Sequence, residues 1–353
     1  MFSERIQSKI IDADKTIIQT MKLMDDTRTK SLLAFDGDRF LGMITIGDLQ
    51  RAIIANMPFN TPICKLIDNG KKKYAHHSDD FSQIKAWMKE VRAEYMPVLD
   101  QNDNLVDVIF WDDILSESAV ENRELIHLPV VIMAGGKGTR LKPLTNVLPK
   151  PLIPVGDKTI LEEIMDQFES IGCTKFYMSV NYKVDMMKFY LSQLEHHYDI
   201  EFFQEDKPLG TIGSVSLLKG KITSPFIVSN CDIVIDQDYR DVYEYHVSNG
   251  NEITLVAAVK TDRVPYGVLE TGENGLLTGL KEKPETTFMF NTGVYILNPE
   301  LIDEIPEGEL FHITDLMAKV QARGGRVGCF PVSEHAWKDM GEWPEYLKMI
   351  KVL

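Results

Sequence analysis

Cysteine is scarce in the chain. Only Cys64, Cys173, Cys231 and Cys329 occur in 353 residues, and no two form a C-x-x-C pair. That scatter argues against a disulfide framework and against a cysteine zinc site. Positive charge is also short: 38 Lys+Arg stand against 53 Asp+Glu, a formal net charge of −15. So acidic a chain repels nucleic acid and anionic lipid, and neither is expected as a partner. A small anionic substrate stays open, because a local cluster of cations can outweigh the global sign. Long apolar runs are missing too. The most apolar stretch, LPVVIMA at 128–134, falls far below the ~18 residues of a membrane span. The first residues, MFSERIQSKI, lack the basic region and apolar run of a secretory signal. A cytoplasmic protein is expected. No Ser-His-Asp or Cys-His arrangement stands out.

What remains is the composition of an ordinary globular protein, with 44% hydrophobic and 26% charged residues. Its length suits about two domains. The first third carries a weak repeat. Asp48 in GMITIGDL and Asp113 in DVIFWDDI stand 65 residues apart, and the same offset pairs Asp14 with Asp79, Leu33 with Val98, Phe40 with Leu105 and Ile44 with Ile109. Each copy reads helix, strand, turn, strand, helix. Half-units of this kind cannot bury their apolar faces alone, so two should pack together.

Residues 10–115 resemble a tandem pair of CBS domains, on the repeat length and on Gly42-Met43-Ile44-Thr45-Ile46-Gly47-Asp48. The resemblance implies that Thr45 contacts a nucleotide phosphate and Asp48 the ribose hydroxyls. A glycine allows close backbone approach, a hydroxyl donates to phosphate, and a carboxylate accepts from two hydroxyls. The alternative is that Thr45 and Asp48 cap the helix that follows. The second copy has Asp107 for the glycine and Phe110 for the threonine, so at most one ligand site is intact. Lys71-Lys72-Lys73 reads as a solvated turn. His76-His77 and His196-His197 read as surface residues, and Met21, Met24, Met186 and Met187 as core filler.

Three segments are expected: 1–120 as the repeat pair, 121–127 as a polar linker, and 128–353 as a second domain. The last opens with an apolar run feeding a glycine-rich turn, LPVVIMAGGKGTRLKP. β-like runs follow at 175–180, 200–203, 225–230, 252–259, 293–297 and 325–332, with helical patterns such as ILEEIMDQFESIG between several of them. Such alternation predicts a mostly parallel sheet covered by helices.

The glycine-rich turn is neither a Walker A loop nor a dinucleotide G-x-G-x-x-G. Its glycines still allow consecutive backbone N–H groups to face phosphate oxygens. Arg140 adds a planar fork of donors, and Pro149-Lys150-Pro151 sets a stiff bend that holds the Lys150 ammonium. Between Val130 and Gly156 there are four Lys/Arg and no Asp or Glu, a cationic patch in an acidic chain.

The run GGKGTRLKPLTNVLPKPLIPVGDK resembles the nucleotide loop of the sugar-1-phosphate nucleotidyltransferases, and four later segments match that family in order. The implied fold is α/β: a Rossmann-like nucleotidyltransferase domain with a mixed, mostly parallel sheet, preceded by an α+β CBS-domain pair. The resemblance implies that Ala134, Gly135, Gly136, Gly138 and Thr139 hold the nucleotide, with Gln204, Gly210 and Thr211 from FFQEDKPLGTIG against base and ribose. It implies that Asp232 and Asp339 hold Mg²⁺; Cys231 departs slightly from the small residue the family has before the first acid. It implies that Tyr266, Gly267, Glu282, Asn291 and Thr292 contact the sugar and that Lys283 pairs with the sugar phosphate. For Glu282-Lys283-Pro284 the bland alternative is an exposed charged turn.

The expected reaction joins a nucleoside triphosphate to a sugar 1-phosphate with release of pyrophosphate. Arg140, Lys150 and Lys283 are the expected catalytic cations. The architecture resembles guanylyltransferases of nonulosonate pathways, which implies GTP and glucosamine 1-phosphate or a related hexose 1-phosphate. The residues themselves give no physical argument for guanine over uracil or thymine, so uridylyl or thymidylyl transfer stays open. So does a non-catalytic nucleotide sensor built on the CBS pair. A regulatory nucleotide at that pair and a homo-oligomer are also expected.

Overall fold

The computed structural model describes residues 3–68, 72–76, 79–80, 83–84, 86–88, 94–110, 124–194 and 198–350. They belong to two compact units, Met1–Arg123 and Glu124–Leu353. No helix among the described residues is long and apolar enough to cross a membrane.

The first unit runs α1 (Glu4–Gln7), β1 (Ile10–Asp12), α2 (Ile17–Asp26), β2 (Ser31–Asp36), β3 (Arg39–Thr45), α3 (Ile46–Ile54), β4 (Ala75–His76), β5 (Tyr95–Leu99) and β6 (Leu105–Phe110). Thr16 opens α2 with a capping box closed by Gln19. Met21 and Met24 are buried on the inner face of α2, one turn apart. Strands β1-β2-β3 form one sheet and β4-β5-β6 another, each with a parallel then an antiparallel pair. The shared topology at the predicted offset is the repeat made visible. Leu33, Phe35, Phe40 and Met43 of the first copy share one core with Tyr95, Leu99, Leu105, Val108 and Phe110 of the second. Glu94 ties the copies again, accepting from the Thr29 hydroxyl at 3.0 Å. Asp113, Lys71, His77 and His196-His197 lie outside the described residues. His76 is exposed, as expected.

The second unit centres on a seven-stranded sheet. Its strands are β7 (Val130–Met133), β10 (Lys175–Val180), β11 (Asp199–Gln204), β12 (Phe226–Asn230), β14 (Ile253–Arg263), β17 (Glu285–Leu297) and β18 (Val327–Ser333), ordered β11-β10-β7-β12-β17-β14-β18. Only β17 runs against the others. Short ribbons are β8 (Pro154–Val155) with β9 (Lys158–Thr159), β13 (Ile233–Ile235) with β19 (Trp337–Asp339), and β15 (Val268–Thr271) with β16 (Leu277–Lys281). The helices are α4 (Leu144–Val147), α5 (Ile160–Glu169), α6 (Val184–Ser192), α7 (Tyr239–Ser248), α8 (Ile313–Ala322) and α9 (Trp343–Ile350). Val131, Tyr177, Val228 and Tyr295 of the sheet pack on Ile313, Leu316 and Val320 of α8 in one large core. On α6, Met187 is buried but Met186 is 40% exposed, so only the former fills core as expected.

The predicted linker is partly structural. The Ile126 N–H donates to the Ile171 carbonyl at 3.0 Å, and His127 Nδ1 lies 2.8 Å from the Gly172 carbonyl oxygen. Residues 124–127 are therefore bonded into the second unit.

Candidate active site

β7 sits between β10 and β12, where parallel strands turn away on both sides, so its carboxyl end opens onto the crevice in which α/β sheets bind ligands. The glycine-rich turn begins there. The Ala134 N–H donates to the Ser179 carbonyl at 2.9 Å, which extends the β7–β10 pairing by one residue. Gly138 has φ +61°, and a Cβ on it would lie 2.8 Å from Thr145 Cγ2 and 3.0 Å from Lys150 Cβ. Both the backbone sign and the space require glycine. The Thr145 hydroxyl donates to the Gly138 carbonyl at 2.9 Å and closes the loop. Gly136 has nothing within 4 Å of its would-be Cβ, so that side of the loop is open to a ligand.

Thr139–Leu141 is a single helical turn that carries Arg140 outward. Arg140 donates to Glu342 at 2.7 Å. The Glu342 hydrogen bond, with Asp339 and Asp232 nearby, raises the guanidinium pKa further above its ordinary value. Pro149 is extended and hands the chain to a turn at Lys150–Leu152, as the P-K-P string predicts. Lys150 is buried, and its ammonium donates to Asp232 Oδ2.

Asp232 follows β12, the neighbour of β7. The β13–β19 ribbon pairs Ile233 with Asp339 and so brings the second acid to the first, across 107 residues of sequence. The Met340 N–H donates to the Asp232 carbonyl at 2.8 Å, and the Gly341 N–H to Asp339 Oδ1 at 2.7 Å. A Cβ on Gly341 would fall within 3 Å of Asp232 Oδ2, Lys150 Nζ and Asp339 Oδ1 at once. Burial pushes the Asp339 carboxyl above its ordinary range, Asp232 adds to this, and Gly341, Lys150 and Arg140 oppose it. Two acids that crowd each other are stabilised by a cation between them. Their hard oxygens suit Mg²⁺, which takes one or two carboxylates and fills its other positions with phosphate and water. Among the described residues no group of three or more His, Cys, Asp or Glu side chains forms a metal cluster.

The second nucleotide segment meets the glycine-rich turn at Gly135, through Glu205. Gln204 ends β11 and is exposed. Gly210 has φ +86°, and a Cβ there would meet the Phe311 carbonyl oxygen at 2.5 Å. The Phe311 N–H in turn donates to the Leu209 carbonyl at 3.0 Å. Thr211 is exposed, and its hydroxyl accepts the Ile313 N–H at 2.9 Å at the start of α8. That bond assigns Thr211 a helix-capping post the sequence reading did not foresee. Segment 309–313, which braces the glycine loop, also went unnoticed, because its role lies in its backbone. Glu205 was missed as well. It is buried, accepts from Ser179 Oγ at 2.9 Å and from the Leu209 N–H at 2.8 Å, and underlies Gly135. The available signal was parity: next to an exposed strand-end Gln204, residue 205 points inward.

The sugar-side residues are only partly gathered. A Cβ on Gly267 would lie 2.9 Å from Glu282 Oε2, so these two meet. Tyr266 is 75% exposed. Lys283 is exposed with φ +45° in the turn between β16 and β17, so the charged-turn reading describes its surroundings. Asn291-Thr292-Gly293, implied to contact the sugar, is strand. It lies inside β17, where the register against β14 shifts between Leu255 and Ala257. Asn291 Oδ1 accepts the Gly293 N–H at 3.0 Å. Thr292 is a correction: its side chain is buried and donates to the Val256 carbonyl at 2.7 Å, so the hydroxyl holds the irregular sheet and does not face a sugar.

In the first unit the helix-capping alternative is what forms. Thr45 and Asp48 close a capping box on α3. Asp48 Oδ2 accepts from the Thr45 hydroxyl at 2.7 Å and from Lys72 Nζ at 2.5 Å, while Oδ1 accepts from Arg51 at 2.5 Å. Lys72 is thus a half-buried ion-pair partner and not a freely solvated side chain. The carboxylate expected to accept ribose hydroxyls is already engaged by two cations and by the cap.

A mostly parallel sheet with a glycine-rich turn and two acids at its carboxyl end defines an α/β fold of the kind that binds ligands in the crevice at those strand ends. The profile of the nucleotidyl transferase family matches residues 129–353, and the chain belongs to that family. A CBS domain profile matches residues 6–55, the first copy of the repeat. The chain is 33% identical over 230 residues to a mannose-1-phosphate guanyltransferase of Aspergillus oryzae, covering 62% of each protein. It is 37% identical over 185 residues to one of Pichia angusta, covering 50% of each. The chain therefore spans about three fifths or less of these relatives' length. Among solved structures it resembles HddC from Yersinia pseudotuberculosis, with a TM-score of 0.50 and 27% identity over 64% of this chain and 99% of that one. HddC has also been solved in complex with GMP-PN.

Proposed function

We propose that the chain transfers guanylyl from GTP to a hexose 1-phosphate and releases pyrophosphate. The observation that carries this reading is the meeting of Asp232, Asp339 and Lys150 around Gly341, next to Arg140, at the carboxyl ends of β7 and β12. It is a compact set of opposite charges on a phosphate loop. The sugar phosphate is ionised at neutral pH and needs no general base. Its attack on the α-phosphorus brings two anions together, so catalysis rests on neutralisation and positioning. Arg140 exchanges Glu342 for the triphosphate and the departing pyrophosphate. Lys150 neutralises phosphate near the reacting centre. Asp232 and Asp339 would hold Mg²⁺, which supplies further charge neutralisation when bound. Gly267 and Glu282 face the sugar, and Lys283 reaches its phosphate by rotating out of solvent.

Guanine is favoured by the Aspergillus and Pichia relatives, which are mannose-1-phosphate guanyltransferases. For the sugar we propose glucosamine 1-phosphate, on the CBS-plus-transferase architecture. Mannose 1-phosphate is the second reading, on those same relatives. The first unit is proposed to tune the enzyme and to mediate assembly into a homo-oligomer in the cytoplasm. A regulatory nucleotide there would share Asp48 with Lys72 and Arg51 or compete with them for it. Pyrophosphate release, measured for four NTPs against glucosamine, mannose and glucose 1-phosphates, tests the proposal. GTP with one hexosamine or hexose phosphate is the expected productive pair. Silence with every pair would instead support a nucleotide sensor.

A further inference from the structure

Between Val130 and Gly156 the cationic loop has no acid of its own. A carboxylate is nevertheless brought to its arginine from 202 positions along the chain: Arg140 Nη1 donates to Glu342 Oε1 at 2.7 Å. The backbone around Glu342 is pinned on both sides. Before it, the Gly341 N–H donates to Asp339 Oδ1 at 2.7 Å. After it, the Trp343 indole N–H donates to the Lys142 carbonyl at 2.9 Å, and the Tyr346 hydroxyl to the Pro154 carbonyl at 3.0 Å. Tyr346 is buried, and its own N–H donates to the Glu342 carbonyl at 3.0 Å. The start of α9 is thus strapped across the loop at three points, residues 140, 142 and 154.

The Arg140 and Glu342 side chains are 56% and 51% exposed. An ion pair in that much water adds little to the fold, so stability does not account for an acid at this place. Its chemistry does. The guanidinium fork that takes a phosphate edge takes a carboxylate in the same way. An acid held there competes with phosphate for the arginine. A site already occupied by an internal partner binds its ligand more weakly, by the strength of the resident pair. We propose that Glu342 is a positioning residue for Arg140. It holds the guanidinium at the loop between turnovers, yields it to the incoming triphosphate, and reclaims it from the departing pyrophosphate. The inference rests on the guanylyl-transfer reading and adds to it an internal competitor that eases product release.

The test uses the full chain as wild type, Glu342→Gln, Arg140→Gln and the double variant. Each is titrated calorimetrically with inorganic pyrophosphate in the presence of Mg²⁺, and KM and kcat for GTP are measured alongside. Glutamine keeps the shape of residue 342 and removes only its charge. In Glu342→Gln the pyrophosphate dissociation constant and the KM for GTP should both fall about two- to fivefold, the strength of an exposed ion pair. The kcat should not rise, because pyrophosphate then leaves more slowly, and the melting temperature should not change. In the Arg140→Gln background the same substitution should have no effect, since the competitor has nothing left to hold. A residue that only braced the loop would give the opposite sign, because its loss would loosen Arg140 and weaken binding. Unchanged or weaker pyrophosphate binding in Glu342→Gln, or a gain that persists without Arg140, would overturn the inference. A wild type that binds no pyrophosphate would instead overturn the guanylyl-transfer reading on which it rests.

Discussion

Replacing Gly341 by alanine would add one methyl group at the point where three charged atoms meet. The backbone there lies outside the left-handed region, so alanine can adopt it. The new Cβ would lie 2.6 Å from Lys150 Nζ and 2.8 Å from Asp339 Oδ1, and closer still to Asp232 Oδ2. None of these can retreat without cost. Lys150 and Asp232 are buried and bonded to each other, and Asp339 accepts the N–H of residue 341 itself. Overpacking of this size costs about 1–3 kcal/mol in a well-packed site. Its main effect should be to push the acids and the ammonium off their positions. Losing one preorganised electrostatic contact lowers turnover by about 10²–10³. Steady-state pyrophosphate release should thus show kcat reduced by at least about 10² in Gly341→Ala, with a melting temperature lowered by only a few degrees. Near-normal kcat in a folded variant would refute the claim that this junction is where the chemistry happens.

Asp232→Asn and Arg140→Ala should each lower turnover by on the order of 10² or more in the same assay; near-normal rates in both would remove the catalytic assignment. For Asp48, burial alone would raise the carboxyl pKa, but hydrogen bonds from Lys72 and Thr45 outweigh it and set it below 3.8. Its contribution to stability is therefore present above the unfolded value and lost as pH falls through the folded one. Asp48→Asn should cost up to about 3 kcal/mol at pH 7 in denaturant unfolding, a difference that closes as the pH is lowered below 3.8; a gap independent of pH would contradict the ion-pair account. Cys64 is exposed, whereas burial pushes the Cys173 and Cys231 thiols up to about 12. A maleimide at neutral pH should modify Cys64 first and leave Cys173 and Cys231 unlabelled in the native protein, as read by peptide mass mapping.

Much of the second unit was legible in advance. The strand runs at 175–180 and 225–230 and the helix beginning at Ile160 appear where apolar periodicity puts them, because buried parallel strands and amphipathic helices leave different spacings. The P-K-P bend and the glycine turn followed from backbone chemistry that is local to those residues. Less legible were Thr292 and Thr211. A threonine looks the same in sequence whether its hydroxyl faces a ligand, a bulged strand or a helix end. The same ambiguity held for Thr45 and Asp48, where Lys72, 24 positions away, decided in favour of a closed cap.

By itself the sequence determined the two-unit organisation, the mostly parallel sheet, the cationic loop at 130–156 and the order of the motifs. All of these depend on interactions between near neighbours or on periodicity along one element. The tertiary structure alone decided which charges meet. Asp339 reaches Asp232 because two short strands pair, Lys150 turns its ammonium onto Asp232, and Glu205 ends beneath Gly135. Each of these contacts joins segments far apart in the chain. Electrostatic energy depends on distance through space, and the order of residues does not contain that distance.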